Sequence, residues 1–414
     1  MQSRWDWLDA LIASEKTDTF DLSPSEIAGS VQRVAILTEA FLPKVDGVTR
    51  TVLLTVKHLE ATGRQALVIA PSPTVTRVGQ TRVFGVPSLW LPFNRETRVA
   101  PPWPSIIETL RAFKPHLIHL FSPFSLGFIG MVGGGLLNTP VIANYQTDLP
   151  AYARSYGYAF FSNACIHLLR YIHDGCTLSL APSRATVREL RAWGFRRLRL
   201  WGRGVDSQRF SPTRRSQESR SRLLAGRDPD SLLAVYVGRL ARDKHLETLR
   251  DVAREPGVSL TIIGGGDELP ALRKAFCGEG SNVHFAGALV ADELAQAYAS
   301  ADVFVFPGPE ETFGQAVLEA MASGLPAIVS DRGGPATFVE DNCSGFICPV
   351  DDAAAFATRV RYLRDNPAIR LRQSLEARLY AERQPWSGVM RSLEHYYREA
   401  LILHRRKQRQ RSRS

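Results

Sequence analysis

At 414 residues, with 44% hydrophobic and 22% charged side chains, the chain is too long for one ordinary core and too apolar to be mainly disordered. Five scattered cysteines, none in a C-x-x-C pair, argue against a disulfide framework or structural zinc and for a reducing, cytoplasmic setting. The net charge of +10 rests largely on the end of the chain, where Arg405, Arg406, Lys407, Arg409, Arg411 and Arg413 follow one another with no acid among them. No recognition module accompanies these cations and no aromatic residues interleave them, so nucleic acid is not expected as a partner.

Residues 1–30 are polar and mixed and read as an N-terminal extension. From Arg33 the pattern changes. RVAILT is a buried-type strand, Gly47 to Thr62 carries apolar residues at helical spacing up to Gly63, and QALVIAP is a second strand. Together they form a βαβ unit. The loop Pro43-Lys44-Val45-Asp46-Gly47 joins strand to helix and would offer backbone N–H groups to an anion. PHLIHLFSP (115–123) and PVIANYQTD (140–148) are two more strands, and between them Leu126 to Leu137 is glycine-interrupted and too short to cross a bilayer. His116 and His119 fall on opposite faces of a strand pattern and make no metal pair. After the 140–148 strand, Asn144 to Pro150 crowds polar groups at a strand end, which makes Gln146 and Asp148 candidate catalytic residues, with helix capping by Thr147 or Asp148 as the plainer alternative. A first α/β domain over 31–200 is expected.

A second series follows WGRGVDSQRFSP (201–212). LLAVYVGRL, VSLTIIGGG, NVHFAGAL, DVFVFPG and PAIVSDRGG are strands without strict alternation, as in parallel sheets covered on both faces. This second domain is expected over 201–383, a terminal helix over 384–403 packing back on the first, and a basic tail over 404–414. The tail either lies on anionic headgroups or is a frayed, solvated end.

Three loops of the second domain carry the chemistry. Gly238 to Lys244 supplies Arg239 and Lys244 from one strand end, a guanidinium fork and a mobile ammonium suited to a diphosphate without a metal. Gly264-Gly265-Gly266-Asp267 is glycine-rich but lacks both dinucleotide and P-loop spacing, so NAD and ATP are not expected as cofactors. In DVFVFPGPEETFGQAVLEAMASG, a strand breaks at Pro307-Gly308-Pro309 and a helix is expected from Thr312 to Met321, with the amides of Phe313 and Gly314 in its first turn facing an anion. Glu311 and Glu319 would then stand roughly 12 Å apart along the axis and hold the hydroxyls of an elongated ligand.

These motifs together resemble the retaining glycosyltransferases of the GT-B fold, in the family-four group that includes mannosyl- and sulfoquinovosyl-transferases, over Arg33 to Arg383. The two glutamates eight apart, Glu311 and Glu319, are the most specific part. The resemblance implies an α/β chain of two doubly wound Rossmann-like domains facing a central cleft. It implies that Glu311 contacts the donor sugar, Glu319 holds the ribose hydroxyls, Arg239 and Lys244 neutralise the diphosphate, Gly47 faces the same phosphates, and Val290 lies at the nucleobase pocket. Many relatives carry a histidine where this chain has Gln146. Glutamine cannot act as a base at neutral pH but can hydrogen-bond a sugar.

The function implied is transfer of an α-linked hexose, mannose from GDP-mannose, to a lipid or glycolipid acceptor, with no metal or other cofactor. The alternatives are a UDP-sugar-dependent diacylglycerol glycosyltransferase and a nucleotide-sugar-binding protein without turnover. A cytoplasmic protein, peripheral at an anionic inner membrane face, is the expected setting.

Overall fold

The computed structural model of the protein describes residues 31–412 apart from 45, 92–93, 102, 156, 158 and 279, so the extension expected over 1–30 lies outside the described residues. The described chain groups into two α/β units. One holds residues up to 150, 160–202 and 387–412, the other 151–159 and 203–386.

The first unit is built on an eight-stranded sheet. Its strands are β1 (Arg33–Thr38), β2 (Gln65–Pro71), β3 (Arg77–Val78), β4 (Thr81–Val86), β7 (Leu117–Phe121), β8 (Val141–Asn144), β9 (Leu178–Ala181) and β10 (Leu198–Leu200), in the order β10-β9-β8-β7-β1-β2-β4-β3. All neighbours are parallel except β3 and β4, and β5 (Leu89–Leu91) with β6 (Asn94–Val99) forms a separate antiparallel pair. The apolar runs read from the sequence are central strands: Val34, Ala35, Ile36 and Leu37 of β1 are essentially inaccessible, as parallel strands with helices on both faces must be.

The glycines of the 126–137 segment serve packing. In the helix Ser125–Leu136, a Cβ on Gly130 would lie 2.5 Å from Leu120 and one on Gly134 2.1 Å from Val141, so only glycine lets this helix lie against its sheet.

The helix Trp386–Arg411 belongs to this unit from residue 387 onward and runs past Leu403 to Arg411. Val389 accepts from Trp201 Nε1 at 3.0 Å, and Tyr396 donates to the Leu200 carbonyl at 2.7 Å. Inside the unit, Glu394 takes His58 Nε2 at 2.7 Å and also pairs with Arg64, all three side chains buried. Toward the end of the helix, His404 and Gln408 meet Asn138, so the basic segment is helical and docked on one side. No described helix is long and apolar enough to cross a membrane.

The second unit carries six parallel strands, β11 (Leu232–Val237), β12 (Val258–Ile263), β13 (Val283–Gly287), β14 (Val303–Phe306), β15 (Ala327–Ser330) and β16 (Gly345–Cys348), ordered β13-β12-β11-β14-β15-β16. One expectation is corrected here. The helix after β14 starts at Gln315, not Thr312, because Gly314 stands at its N-cap with φ +96°, outside helical space. Phe313 and Gly314 therefore precede the helix, and the rise from Glu311 to Glu319 is part loop.

Candidate active site

In parallel α/β sheets the loops at the carboxyl ends of neighbouring strands emerge side by side. β11 and β14 are such neighbours, with Ala234 opposite Val303 and Val235 opposite Phe304. This adjacency brings together two loops 67 residues apart: Lys244 Nζ lies 2.8 Å from Glu311 Oε2.

The cations are held from below. After β11 the chain makes a single 3-10 turn, Arg242–Lys244, in which Asp243 is nearly buried. The Asp243 carboxylate accepts Arg239 Nη2 at 3.0 and 3.3 Å and lies 2.9 Å from Lys244 Nζ. Tyr236, fully buried and stacked on Phe306, donates its hydroxyl to the Arg239 carbonyl at 3.1 Å and so fixes the loop backbone. Burial opposes the charge on both Asp243 and Lys244. Mutual attraction outweighs it: Asp243 is held below the usual carboxylate range by Lys244 and Arg239, and Lys244 above the usual lysine value by Glu311 and Asp243. Both are ionised at neutral pH.

The Glu311 loop is held by the loop after β15. Gly334 donates its N–H to the Glu311 carbonyl at 2.6 Å. At Gly333, with φ +83°, a Cβ would lie 2.6 Å from the Pro309 oxygen. Phe313 points into the core, stacked on Phe338 at 5.2 Å. Glu319, on the helix Gln315–Ala322, is buried rather than solvated, and Gln315 donates to it at 3.4 Å and to the Gly204 carbonyl at 3.1 Å. Val290 caps the start of the helix Ala291–Ser300 and is 65% exposed.

The glycine run 264–266 has a structural purpose. Gly264 and Gly266 take φ +144° and +155°, and a Cβ on either would meet the backbone oxygen of Gly238 or Leu240 at 1.9 or 2.2 Å. The run packs against the Arg239 loop and holds it in place.

The remaining candidates lie in the first unit. Gly47 opens the helix Gly47–Ala61, and two of the amides there, Val48 and Thr49, donate to the Asp46 side chain at 3.0 and 2.9 Å. Gln146 is buried in a recess lined by Ser122, Tyr145, Thr147 and Leu169. Asp148 accepts the Tyr145 hydroxyl at 3.2 Å.

Sequence reasoning missed Asp243, Tyr236 and the Gly333-Gly334 support, although Asp243 stands between two residues it had singled out. It also passed over Glu39, just after β1, which accepts the amides of Phe124 and Gly127 at 2.8 and 3.1 Å and which burial pushes up to about 7. A carboxylate directly after a buried strand was the available signal.

Residues 221–380 match the family model for glycosyl transferases group 1, and residues 45–209 match that for glycosyltransferase family 4. The chain is 41% identical over 327 residues, 77% of its length and 84% of the relative's, to a GDP-mannose-dependent alpha-mannosyltransferase of Mycobacterium tuberculosis. It is 33% identical, over 84% of its length and 69% of the relative's, to the sulfoquinovosyl transferase SQD2 of Arabidopsis thaliana. Among solved structures, a sucrose-phosphate synthase from Thermosynechococcus elongatus superposes with a TM-score of 0.73 at 21% identity, covering 90% of this chain and 99% of that one.

Proposed function

Because the chain belongs to the family-four glycosyltransferases of GT-B type, hexosyltransferases that work from nucleotide-sugar donors, we propose that it takes mannose from GDP-mannose and delivers it to a lipid or glycolipid acceptor. The single observation that carries the reading is the convergence of Arg239, Lys244 and Glu311 at the carboxyl ends of β11 and β14. Two cations and a carboxylate at one strand edge suit a diphosphate joined to a polyhydroxy sugar. Identity of 41% to an α-mannosyltransferase that uses GDP-mannose supports the choice of base and sugar.

In this reading the C1–O bond to the β-phosphate breaks as an acceptor hydroxyl attacks from the same face. The new glycosidic bond forms there, and the acceptor proton passes to the departing phosphate. Arg239 and Lys244 stabilise the charge growing on the diphosphate, the kind of electrostatic assistance that mutagenesis finds to be worth about 10²–10³ in rate per donor. The reading gives that neutralisation to these two side chains rather than to a metal. Glu311 accepts hydroxyls of the sugar, Glu319 those of the ribose, and the backbone at Phe313 and Gly314 faces the phosphates; the helix start at Gly47, in the first unit, is a separate candidate for a phosphate. Val290 borders the base. Gln146 and Asp148 hydrogen-bond substrate hydroxyls, Gln146 having no basic form at neutral pH.

The acceptor rests on the last helix. Arg405, Arg406, Lys407 and Arg409 are exposed on it, with Ile402 52% exposed beside them, a combination that suits an anionic lipid surface on the cytoplasmic face. The test is a panel of radiolabelled GDP-mannose, UDP-glucose and UDP-sulfoquinovose offered with a membrane lipid extract. Labelled mannolipid from GDP-mannose is expected, with Arg239→Ala and Glu311→Ala each lowering kcat/KM by about 10²-fold or more at unchanged melting temperature. A lipid product from a UDP-sugar alone would move the protein to the second reading, which the likeness to a sulfoquinovosyl transferase favours. Donor binding with no product from any donor would leave a binding protein without turnover.

A further inference from the structure

We infer that Glu311 is the counterion which the diphosphate of a donor must displace from Lys244, so that capturing phosphate and freeing the Glu311 carboxylate for the sugar are a single event. The inference rests on the reading of this strand end as the diphosphate site and goes beyond it. Lys244 Nζ is shared by two carboxylates at nearly equal distance, 2.9 Å from Asp243 and 2.8 Å from Glu311. With Arg239 the group holds two positive and two negative charges, so it offers an incoming anion no net attraction unless one carboxylate gives way.

The two carboxylates are not equally free to leave. Asp243 has a side chain only 7% exposed and grips Arg239 with both oxygens, so losing it would strand a nearly buried charge. Glu311 is 27% exposed and can turn toward water. Its backbone is pinned by the Gly334 N–H and hemmed by Gly333, so the exchange is a rotation of the Glu311 side chain about a fixed backbone. Asp243 is then a positioning residue that keeps Arg239 and Lys244 together while their outer partner changes.

The same carboxylate that competes with phosphate is the one assigned to the sugar hydroxyls. A sugar lacking a diphosphate therefore meets a Glu311 still occupied by Lys244, and one joined to a diphosphate meets a free one. The arrangement rejects free sugar without any steric gate.

Calorimetric titration of the full chain with inorganic pyrophosphate tests this without regard to base, sugar or acceptor. Glu311→Gln removes the competing charge at nearly constant shape, and pyrophosphate is expected to bind about fivefold more tightly, the release of one partly exposed ion pair. Lys244→Met is expected to weaken binding, and in that background Glu311→Gln should bring clearly less than the fivefold gain, because only general repulsion by the carboxylate is left and the competition for Lys244 has lost its object. Thermal melts establish that each variant folds, and alanine at either position replaces one that does not. Unchanged or weaker binding in Glu311→Gln, or a gain just as large in the Lys244→Met background, overturns the inference, as does a wild-type chain that binds no pyrophosphate. Absence of mannolipid in the donor panel, with this binding pattern intact, would overturn the proposed function and leave the exchange standing.

Discussion

Individual residues set how the fold responds to pH. His119 and His173 are inaccessible, and burial pushes both down to about 3, while Glu39 is pushed up to about 7. For each histidine the folded form resists protonation, so its contribution is complete above the unfolded value of about 6.5 and is lost as pH falls from there toward 3. Glu39 works in the opposite sense, its contribution being present below about 4.5 and lost as pH rises through about 7. Two histidines shifted further than one carboxyl should win, so urea midpoints are expected to fall on acidification from pH 7 to 5. His119→Leu is expected to make that fall shallower, while costing about 1–3 kcal/mol at pH 7.5 because Tyr397, 2.9 Å from His119 Nδ1, loses a buried partner. A slope identical to the parent's would show that His119 titrates normally.

Among the loops and helices, two glycines separate structural need from ligand contact. Gly264 has left-handed φ and no room for a Cβ against Gly238, so Gly264→Ala should cost about 3 kcal/mol in urea melts and displace the Arg239 loop, lowering activity with it. At Gly47 nothing lies within 4 Å of the Cβ position, and alanine suits a helix start at least as well. Gly47→Ala should therefore leave stability within about 0.5 kcal/mol of the parent, while a raised KM for the donor would report the backbone approach of a phosphate. Undiminished kcat/KM in that variant would remove Gly47 as a candidate phosphate contact. Elements were legible wherever a run was long and uniformly apolar, as in Val34 to Leu37 or Val303 to Phe306. The start of the helix after β14 was misplaced because Thr312 and Phe313 continue a helical pattern that only the φ of Gly314 interrupts.

At the scale of the whole chain, the last helix is tied to the first unit through Glu394, buried between His58 and Arg64. Removing one member of a buried charge group typically costs about 3–5 kcal/mol, so Glu394→Ala is expected to lower the thermal midpoint sharply, and an unchanged midpoint would show the pairing to be incidental. By itself the sequence determined the two α/β series, because buried parallel strands demand apolar runs, and it set two cations and a carboxylate, Arg239, Lys244 and Glu311, in loops at strand ends. Only the tertiary structure decided which of those loops meet. Strand order places β14 beside β11 rather than beside its sequence neighbour β13, and no local pattern encodes that choice. The same strand order brings Lys244 against Glu311 and lays Gly334 beneath it, contacts between segments whose separation along the chain hides them from any reading of spacing or period.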